Sequence, residues 1–235
     1  RLRAAGRSSR TAGEAAAAGT GSPIEMRVED LRLQRRVRRT GTTTLFVVDA
    51  SGSAALGRLA EAKGAVELLL GESYVRRDRV GLIAFKGSTS ELLLAPTRAL
   101  SRARRALAAL PAGGGTPLAT ALLAAAQSVD GVRRDGSRAA VVLLTDGRAN
   151  VALDGTPGRP RAREDAHLAA RALGAREAIV VLVDTSPRGD PEARALATAL
   201  QARYVALPVV TARALHERVR TIVGAAADAP APRRG

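Results

Sequence analysis

Residues 43–53 read TTLFVVDASGS, a short apolar run that changes abruptly into a polar loop containing glycine. The run Thr43–Val48 is rich in β-branched residues and carries no charge, which predicts a strand buried on both faces. Two similar runs, Ala139–Leu144 and Ala178–Val183, occur later in the chain, and helical patterns separate the runs. Apolar strands that alternate with helices are typical of a parallel sheet covered by helices.

The rest of the chain continues this alternation. The predicted strands are Thr43–Val48, Arg79–Phe85, Glu91–Leu94, Ala139–Leu144, Ala178–Val183 and Arg203–Leu207. The predicted helices are Leu56–Leu70, Thr97–Leu110, Pro117–Val129, Arg161–Leu173, Pro191–Leu200 and Thr211–Val223. The short connection Lys86–Ser90 suits a hairpin between the second and third strands. We therefore expect an α/β fold with a doubly wound, mostly parallel sheet of about six strands, one antiparallel edge strand and helices on both faces.

The composition excludes several kinds of chemistry. The chain has no cysteine, so disulfides, thiol catalysis and cysteine-ligated metals are excluded. Its two histidines, His167 and His216, lie in predicted helices without ligand-spaced companions and are interpreted as structural. No apolar run reaches the roughly 18 residues that a membrane span requires. Carboxylates, hydroxyls and arginine remain to carry a function.

The formal net charge is +15, and nearly all of it comes from arginine spread along the whole chain. Nucleic-acid-binding modules usually combine clustered charge with aromatic side chains, and aromatic residues make up only 2% of this chain. We therefore expect no nucleic-acid partner and favour docking to acidic proteins. A basic run just before the first strand consists of Arg32, Arg35, Arg36, Arg38 and Arg39. It fits a contact with an acidic partner or a solvated lead-in segment equally well.

Composition also predicts the organisation of the chain. The expected segments are a disordered linker or remnant (residues 1–23), a basic lead-in (24–42), the folded domain (43–224) and a disordered tail (225–235). The chain begins with Arg1 rather than Met, so we expect a fragment or a processed product. The lack of cysteine and of a secretory signal favours a reducing compartment, most simply the cytoplasm.

Oxygen-bearing side chains follow two strands that we expect to be neighbours. Asp49, Ser51 and Ser53 follow the first strand, Asp146 follows the fourth, and Thr116 lies in a glycine-rich loop that can reach the same edge. In doubly wound sheets, ligands bind beyond the carboxyl ends of the strands, where the strand order reverses. Two carboxylates and three hydroxyls favour Mg²⁺, or Mn²⁺, over zinc or copper. The sequence therefore predicts a divalent metal site at this edge.

Each of these residues also has a plainer interpretation. Ser51 or Ser53 can cap the following helix, and Thr116 can cap its own helix. Asp146 followed by glycine is a common turn pair. Taken together at the ends of adjacent strands, however, the five residues favour the metal site.

The motif DASGS at residues 49–53, Thr116 and TDG at 145–147 together resemble the metal-ion-dependent adhesion site of von Willebrand A (integrin I) domains. The five matching positions are Asp49, Ser51, Ser53, Thr116 and Asp146. Four longer phrases, TTTLFVVDASGSAA, GGGTPLA, VVLLTDGRAN and DTSPR, are similar to the C-terminal domain of the magnesium chelatase D subunit family. This resemblance extends over roughly Ile24 to Val223.

The resemblance implies a non-catalytic, Mg²⁺-dependent protein-interaction domain. The family's complex inserts Mg²⁺ into protoporphyrin IX with ATP hydrolysis, in the synthesis of chlorophyll or bacteriochlorophyll. The implied partners are an AAA+ ATPase subunit, whose acidic residue would complete the metal shell, and a large porphyrin-binding subunit. An ion between Asp49 and Asp146 would then be a docking ion, distinct from the Mg²⁺ delivered to the porphyrin. A plant or algal source would imply the plastid stroma.

Three alternatives remain open. One is a von Willebrand A domain of another AAA+-associated complex, such as a cobalt chelatase. Another is a metal-dependent phosphohydrolase with Asp49 as nucleophile, which is disfavoured because Ser51 stands where a second carboxylate would be needed for acid–base work. The third, a basic nucleic-acid binder, would show weak and strongly salt-dependent association.

Overall fold

The computed structural model describes residues 41–51, 78–109 and 113–206, together with residues 64, 67, 68, 71, 213, 217 and 220–223, which are helical. The strands are β1 (Thr42–Asp49), β2 (Arg79–Lys86), β3 (Thr89–Thr97), β4 (Arg138–Thr145), β5 (Ala178–Asp184) and β6 (Arg203–Ala206). The continuous helices are α1 (Leu100–Ala108), α2 (Leu118–Arg134), α3 (Arg159–Gly174) and α4 (Pro191–Ala199). The expected segments 1–23 and 225–235, and all but the last two residues of 24–42, lie outside the described residues.

The six strands form one sheet in the order β3-β2-β1-β4-β5-β6. β3 is antiparallel to β2 at one edge, and every other pair of neighbours is parallel. This confirms the predicted doubly wound sheet with one antiparallel edge strand. The strand order reverses at β1 and β4, because the chain builds outward from β1 to β3 and then returns to the other side of β1.

The inner strands β1, β4 and β5 are apolar along most of their length because they are buried on both faces, whereas the edge strand β3 is largely exposed or half-buried. Leu45 and Val47 of β1 belong to a core that includes residues of α2, α3 and α4. Phe46 and Val48, which point the other way, belong to a second core that includes Ala103 of α1. Alternate side chains of one strand therefore pack against different helices. Helices cover both faces, as the sequence predicts.

Two helix starts differ from the sequence prediction by two residues or more. The predicted helix Thr97–Leu110 is wrong at its start, because β3 continues to Thr97, which pairs with Val80, and α1 begins at Leu100. The Thr97 hydroxyl then accepts a hydrogen bond from the Ala99 amide, at 3.1 Å. Helix α3 begins at Arg159, slightly earlier than predicted, with a proline in its first turn. Proline fits there because the first-turn amides have no intrahelical acceptor.

The sequence contains no apolar run of membrane-spanning length. In the part of the chain that the structure describes, no helix combines the length and apolar character needed to cross a membrane.

Candidate metal centre

The carboxyl ends of β1 and β4 lie side by side. Val48 pairs with Leu144, and each strand continues by one residue, to Asp49 and Thr145. Asp146 follows directly, so both predicted carboxylates are at the same edge of the sheet, where the strand order reverses. The sequence predicted this juxtaposition from the expected strand order alone.

Both carboxylate oxygens of Asp49 accept hydrogen bonds. Oδ1 accepts from the Ser51 amide at 3.0 Å and from the Ser51 hydroxyl at 2.6 Å. Oδ2 accepts from the hydroxyl of Thr145 at 2.9 Å. Thr145 is fully buried, so its hydroxyl is a fixed donor that orients Asp49 from the neighbouring strand.

Ser51 joins this carboxylate to the glycine-rich loop. Its Oγ lies 2.7 Å from Oγ1 of Thr116, as well as 2.6 Å from Asp49. Because Ser51 has one hydroxyl proton and gives it to Asp49, Thr116 donates to Ser51. Three separated stretches of the chain thus converge on one connected set of side-chain oxygens.

The environment of Asp49 disfavours its negative charge. Burial raises the pKa of Asp49 to about 6, although hydrogen bonds from Ser51 and Thr145 act in the opposite direction. The nearby carboxylate of Asp146 makes a smaller contribution to this rise in pKa. Two close carboxylates without a compensating cation are unfavourable, and a bound cation would relieve both effects.

The loop that carries Asp146 is held by a close backbone contact. Gly147 has φ 80°, and a Cβ there would lie 2.7 Å from the backbone of Ala193 in α4. Asp146 Oδ1 accepts a hydrogen bond from the Arg148 amide at 3.0 Å, which closes a tight turn. Only glycine combines this backbone conformation with such a close approach.

Of the five predicted metal ligands, hydrogen bonds join Asp49, Ser51 and Thr116, and Asp146 lies at the same edge of the sheet, near enough to raise the pKa of Asp49. Ser53 lies outside the described residues, as do Arg35, Arg36, Arg38 and Arg39 of the predicted partner-binding run. His216 also lies outside them, and His167 is half-buried on α3.

Sequence reasoning missed two residues of the site. Thr145 was included only as part of the TDG motif, and its position at the buried end of an apolar strand was the available signal. Asn150, which contacts Thr116, was quoted only as the last letter of a longer phrase. It is the only asparagine in the chain, but no local pattern marked its contact with Thr116.

The donor set suits a hard divalent cation. Among the described residues, no three or more His, Cys, Asp and Glu side chains come together. A cation at this edge would therefore depend on the two aspartates and on hydroxyl oxygens. Mg²⁺ accepts such ligands and commonly keeps several waters in its shell.

A second polar cluster lies at the carboxyl end of β5, beside the first. Asp184 is fully buried and accepts hydrogen bonds from the amides of Ser186 and Asp190, both at 2.8 Å, and from the Tyr204 hydroxyl at 2.5 Å. Asp190 caps α4 and pairs with Arg148, which follows the Asp146 turn. The two loops at this edge are therefore tied together.

Comparisons with known proteins agree with this geometry. Residues 44–148 match the von Willebrand factor type A domain family. The chain is 47% identical over 207 residues to the magnesium-chelatase 60 kDa subunit of Cereibacter sphaeroides, covering 88% of this chain and 36% of that protein. It is 44% identical over 214 residues to the magnesium-chelatase 60 kDa subunit of Rhodobacter capsulatus, covering 91% of this chain and 37% of that protein.

Solved structures support the fold. A von Willebrand factor type A structure from Catenulispora acidiphila superposes with a TM-score of 0.56 at 18% identity, covering 78% of this chain and 42% of that chain. The chain spans little more than a third of the length of the two chelatase relatives and matches their C-terminal region. Residues 44–148 therefore belong to the von Willebrand factor type A domain family, and over most of its length the chain is similar to the C-terminal region of magnesium-chelatase subunits.

Proposed function

We propose that this domain binds a divalent cation, Mg²⁺ or Mn²⁺, and uses it to dock an acidic residue of a partner protein. Asp49, Ser51, Thr116 and Asp146 would hold the ion, with Ser53 as a further ligand expected from the motif. The observation that carries this proposal is the hydroxyl of Ser51, which lies within hydrogen-bond distance of both Asp49 and Thr116.

The chain's own side chains have separate tasks in this proposal. Thr145 orients Asp49, and Ser51 links Asp49 to the glycine-rich loop. Burial keeps the pKa of Asp49 high while no cation is near, so the aspartate gains from a positive charge. When bound, the ion would supply a coordination position that can accept a carboxylate oxygen from another protein.

The similarity to chelatase subunits supports a specific setting. In this setting the domain would be a non-catalytic part of a magnesium chelatase. That complex inserts Mg²⁺ into protoporphyrin IX with hydrolysis of ATP, in chlorophyll or bacteriochlorophyll biosynthesis. Its partners would be the AAA+ ATPase subunit and the large porphyrin-binding subunit. The complex would work in the cytoplasm, or in the plastid stroma of a plant or alga. The docking ion is not the ion delivered to the porphyrin.

The test is capture of the chelatase ATPase subunit from the same organism by the immobilised chain. We expect capture in Mg²⁺ and only background capture in EDTA. Asp49→Ala should abolish capture while the circular dichroism spectrum stays that of the folded chain. A matched control is Asp135→Ala, because Asp135 lies beyond α2 at the opposite end of the sheet and its side chain is 61% exposed.

Several outcomes would overturn this function. Capture that persists both in EDTA and in Asp49→Ala would exclude metal-dependent docking. Mg²⁺-dependent hydrolysis of a generic phosphoester, lost in Asp49→Asn, would favour the phosphohydrolase instead. Mg²⁺-dependent capture of a cobalt-chelatase ATPase subunit, without capture of the magnesium-chelatase one, would keep the docking chemistry and change the complex.

A further inference from the structure

Asn150 holds the backbone of Thr116 from both sides. The Thr116 amide donates a hydrogen bond to Asn150 Oδ1 at 2.6 Å. The Asn150 amide donates to the Thr116 carbonyl at 3.2 Å. The side chain and main chain of one residue thus bind both polar backbone groups of another, which fixes the orientation of that peptide segment.

Fixing this backbone also fixes the Thr116 hydroxyl. Threonine is β-branched, so its side chain has few accessible rotamers once its backbone is set. Thr116 is 6% exposed, and its Oγ1 lies 2.7 Å from Ser51. A rotation of the Thr116 backbone would therefore carry the hydroxyl away from Ser51 and from the oxygens around Asp49.

The loop before Thr116 cannot supply this rigidity by itself. It consists of Gly113, Gly114 and Gly115, and the first two have φ of 106° and 96°. Glycine has the greatest conformational freedom of all residues, so a run of three is held only by its contacts. A Cβ on Gly115 would lie 2.6 Å from the Gly87 carbonyl oxygen and 3.2 Å from Asn150 Oδ1. The loop is thus pressed against the β2–β3 turn on one side and Asn150 on another.

Asn150 is itself anchored. Its carbonyl accepts a hydrogen bond from the Gly158 amide at 2.9 Å, and the next residue, Val151, forms a bridge with Pro157. The segment after the Asp146 turn therefore closes into a compact loop. That loop presents Asn150 to Thr116 from the same element that carries a predicted metal ligand.

From these contacts we propose that Asn150 is a positioning residue for the metal site. It sets the direction of the Thr116 hydroxyl and thereby raises the affinity of the site for a divalent ion. This inference rests on the proposed function, because it concerns the same ion. It adds a residue outside the five motif positions, and that residue contacts the ligand rather than the ion.

The first measurement is the affinity of the purified chain for Mg²⁺. We expect Asn150→Ala to weaken Mg²⁺ binding by about 10- to 100-fold, as is common for partners that orient metal ligands. Asn150→Asp should restore binding, because a carboxylate oxygen can still accept the Thr116 amide. In the unaltered chain, an NMR titration with selective ¹⁵N labelling of asparagine reports on the site directly. The chain has only one asparagine, so the labelled side-chain amide belongs to Asn150.

A matched control comes from the same loop. Asp154 accepts hydrogen bonds from the amide and hydroxyl of Thr156, at 3.0 and 2.6 Å, away from Thr116. Asp154→Ala removes comparable loop contacts and should leave Mg²⁺ affinity unchanged. A general loosening of the loop would weaken binding in this variant too, and that result would overturn a specific role for Asn150.

A double-mutant cycle tests whether Asn150 acts through Thr116. Thr116→Ala alone should weaken binding, and adding Asn150→Ala should weaken it little further, because the ligand to be positioned is already gone. Fully additive losses would show that Asn150 acts by another route. If Asn150→Ala fails to fold, Asn150→Ser carries the same expectation, because its shorter side chain places no oxygen at the Oδ1 position.

A second measurement needs no metal. In EDTA, the Thr116 amide should exchange its hydrogen faster in Asn150→Ala than in the unaltered chain, and at the original rate in Asp154→Ala. Equal exchange in Asn150→Ala would overturn the inference. If the unaltered chain binds no Mg²⁺, the proposed function fails and this inference fails with it. If the unaltered chain and Asn150→Ala bind Mg²⁺ equally, only the inference fails.

Discussion

Asp49 and Asp190 are carboxylates at the same edge of the sheet, yet their charges are balanced in opposite ways. The side chain of Asp190 is 7% exposed and pairs with Arg148, whose Nε and Nη2 lie 2.7 and 2.6 Å from Oδ2. Burial raises the pKa of Asp190, but the Glu192 amide and the Arg148 guanidinium outweigh it, so this pKa lies below its usual value. The pKa of Asp49 is instead raised to about 6 by burial.

The difference lies in what surrounds each carboxylate. Among the described residues, no cationic side chain forms an ion pair with Asp49, and Asp146 adds a second negative charge nearby. Arg148 supplies the counter-charge of Asp190 from within the chain, so this carboxylate stabilises the fold. Asp49 has hydrogen bonds without a counter-charge, which is the arrangement expected of a site that gains a cation from outside.

The largest expected effect is at Gly147, where the loop that carries Asp146 touches α4, the helix that Asp190 caps. Gly147→Ala should lower the free energy of unfolding by about 3 kcal/mol, because its Cβ would lie 2.7 Å from the backbone of Ala193 and one of the two must move. Chemical denaturation measures this loss. Gly155→Ala is the matched control, since Gly155 has a similar φ of 83° but open space around it. It should cost only about 1 kcal/mol, and equal losses would contradict the contact.

The next expected effect is a change in the free energy of unfolding that has opposite signs in Asp49→Asn and Asp190→Asn. Without metal at pH 7.5, Asp49→Asn should stabilise the chain by about 2 kcal/mol, because an ionised Asp49 with a raised pKa opposes folding. The gain should shrink as the pH falls from about 6 towards 4, since the native carboxyl then becomes protonated. Asp190→Asn should destabilise the chain at pH 7.5, because a lowered pKa stabilises the fold above the unfolded pKa.

These two variants are best compared by thermal unfolding in EDTA across that pH range. Destabilisation by Asp49→Asn in EDTA at pH 7.5 would contradict the difference between Asp49 and Asp190. In Mg²⁺, the unaltered chain should instead be more stable than Asp49→Asn, because it gains binding free energy that the variant lacks.

A smaller effect concerns the cluster around Asp184. Tyr204→Phe should lower the free energy of unfolding by about 1.5 kcal/mol, because a fully buried carboxylate loses one of its three donors. Burial and the bond to Asp184 also raise the pKa of Tyr204 to about 12. Urea denaturation measures the loss, and Mg²⁺ affinity should stay unchanged. Weaker Mg²⁺ binding would show that the cluster around Asp184 also supports the metal site.

The smallest effect is expected at Arg148. Arg148→Ala should cost about 1 kcal/mol, because water screens the 53% exposed Arg148 side chain and Asp190 keeps the hydrogen bond from the Glu192 amide. The same change should raise the pKa of Asp190, since it removes the guanidinium that lowers it. NMR titration of the Asp190 carboxyl measures this pKa. An unchanged value would show that the Glu192 amide and Arg159 lower this pKa without help from Arg148.

The fold was largely predictable because each strand carries its own signal. Short, uncharged runs rich in β-branched residues, such as Thr43–Val48, favour strands buried on both faces, and their alternation with helices leaves few topologies. The start of the helix after β3 was not predictable. Thr97 is held in the strand by its pairing with Val80, which overrides local helical preference.

The candidate site was predictable in part. Asp49, Thr116 and Asp146 were found because they follow predicted strands or open a helix. The contact from Thr145 to Asp49 joins residues 96 positions apart, and that from Asn150 to Thr116 joins residues 34 positions apart. No local pattern encodes such pairs, since they exist only once β1 and β4 are adjacent and the loops are closed.

The sequence by itself determined the alternation of strands and helices, the edge at which the polar residues gather, and an oxygen-only donor set, because periodicity and residue chemistry are local properties. The tertiary structure alone decided which carboxylate has a counter-charge in the chain. Asp190 meets Arg148 across 42 positions, whereas Asp49 lies half-buried beside another carboxylate, with hydroxyl donors. Burial and neighbouring charge control a carboxylate's pKa, and both arise only when the chain is folded.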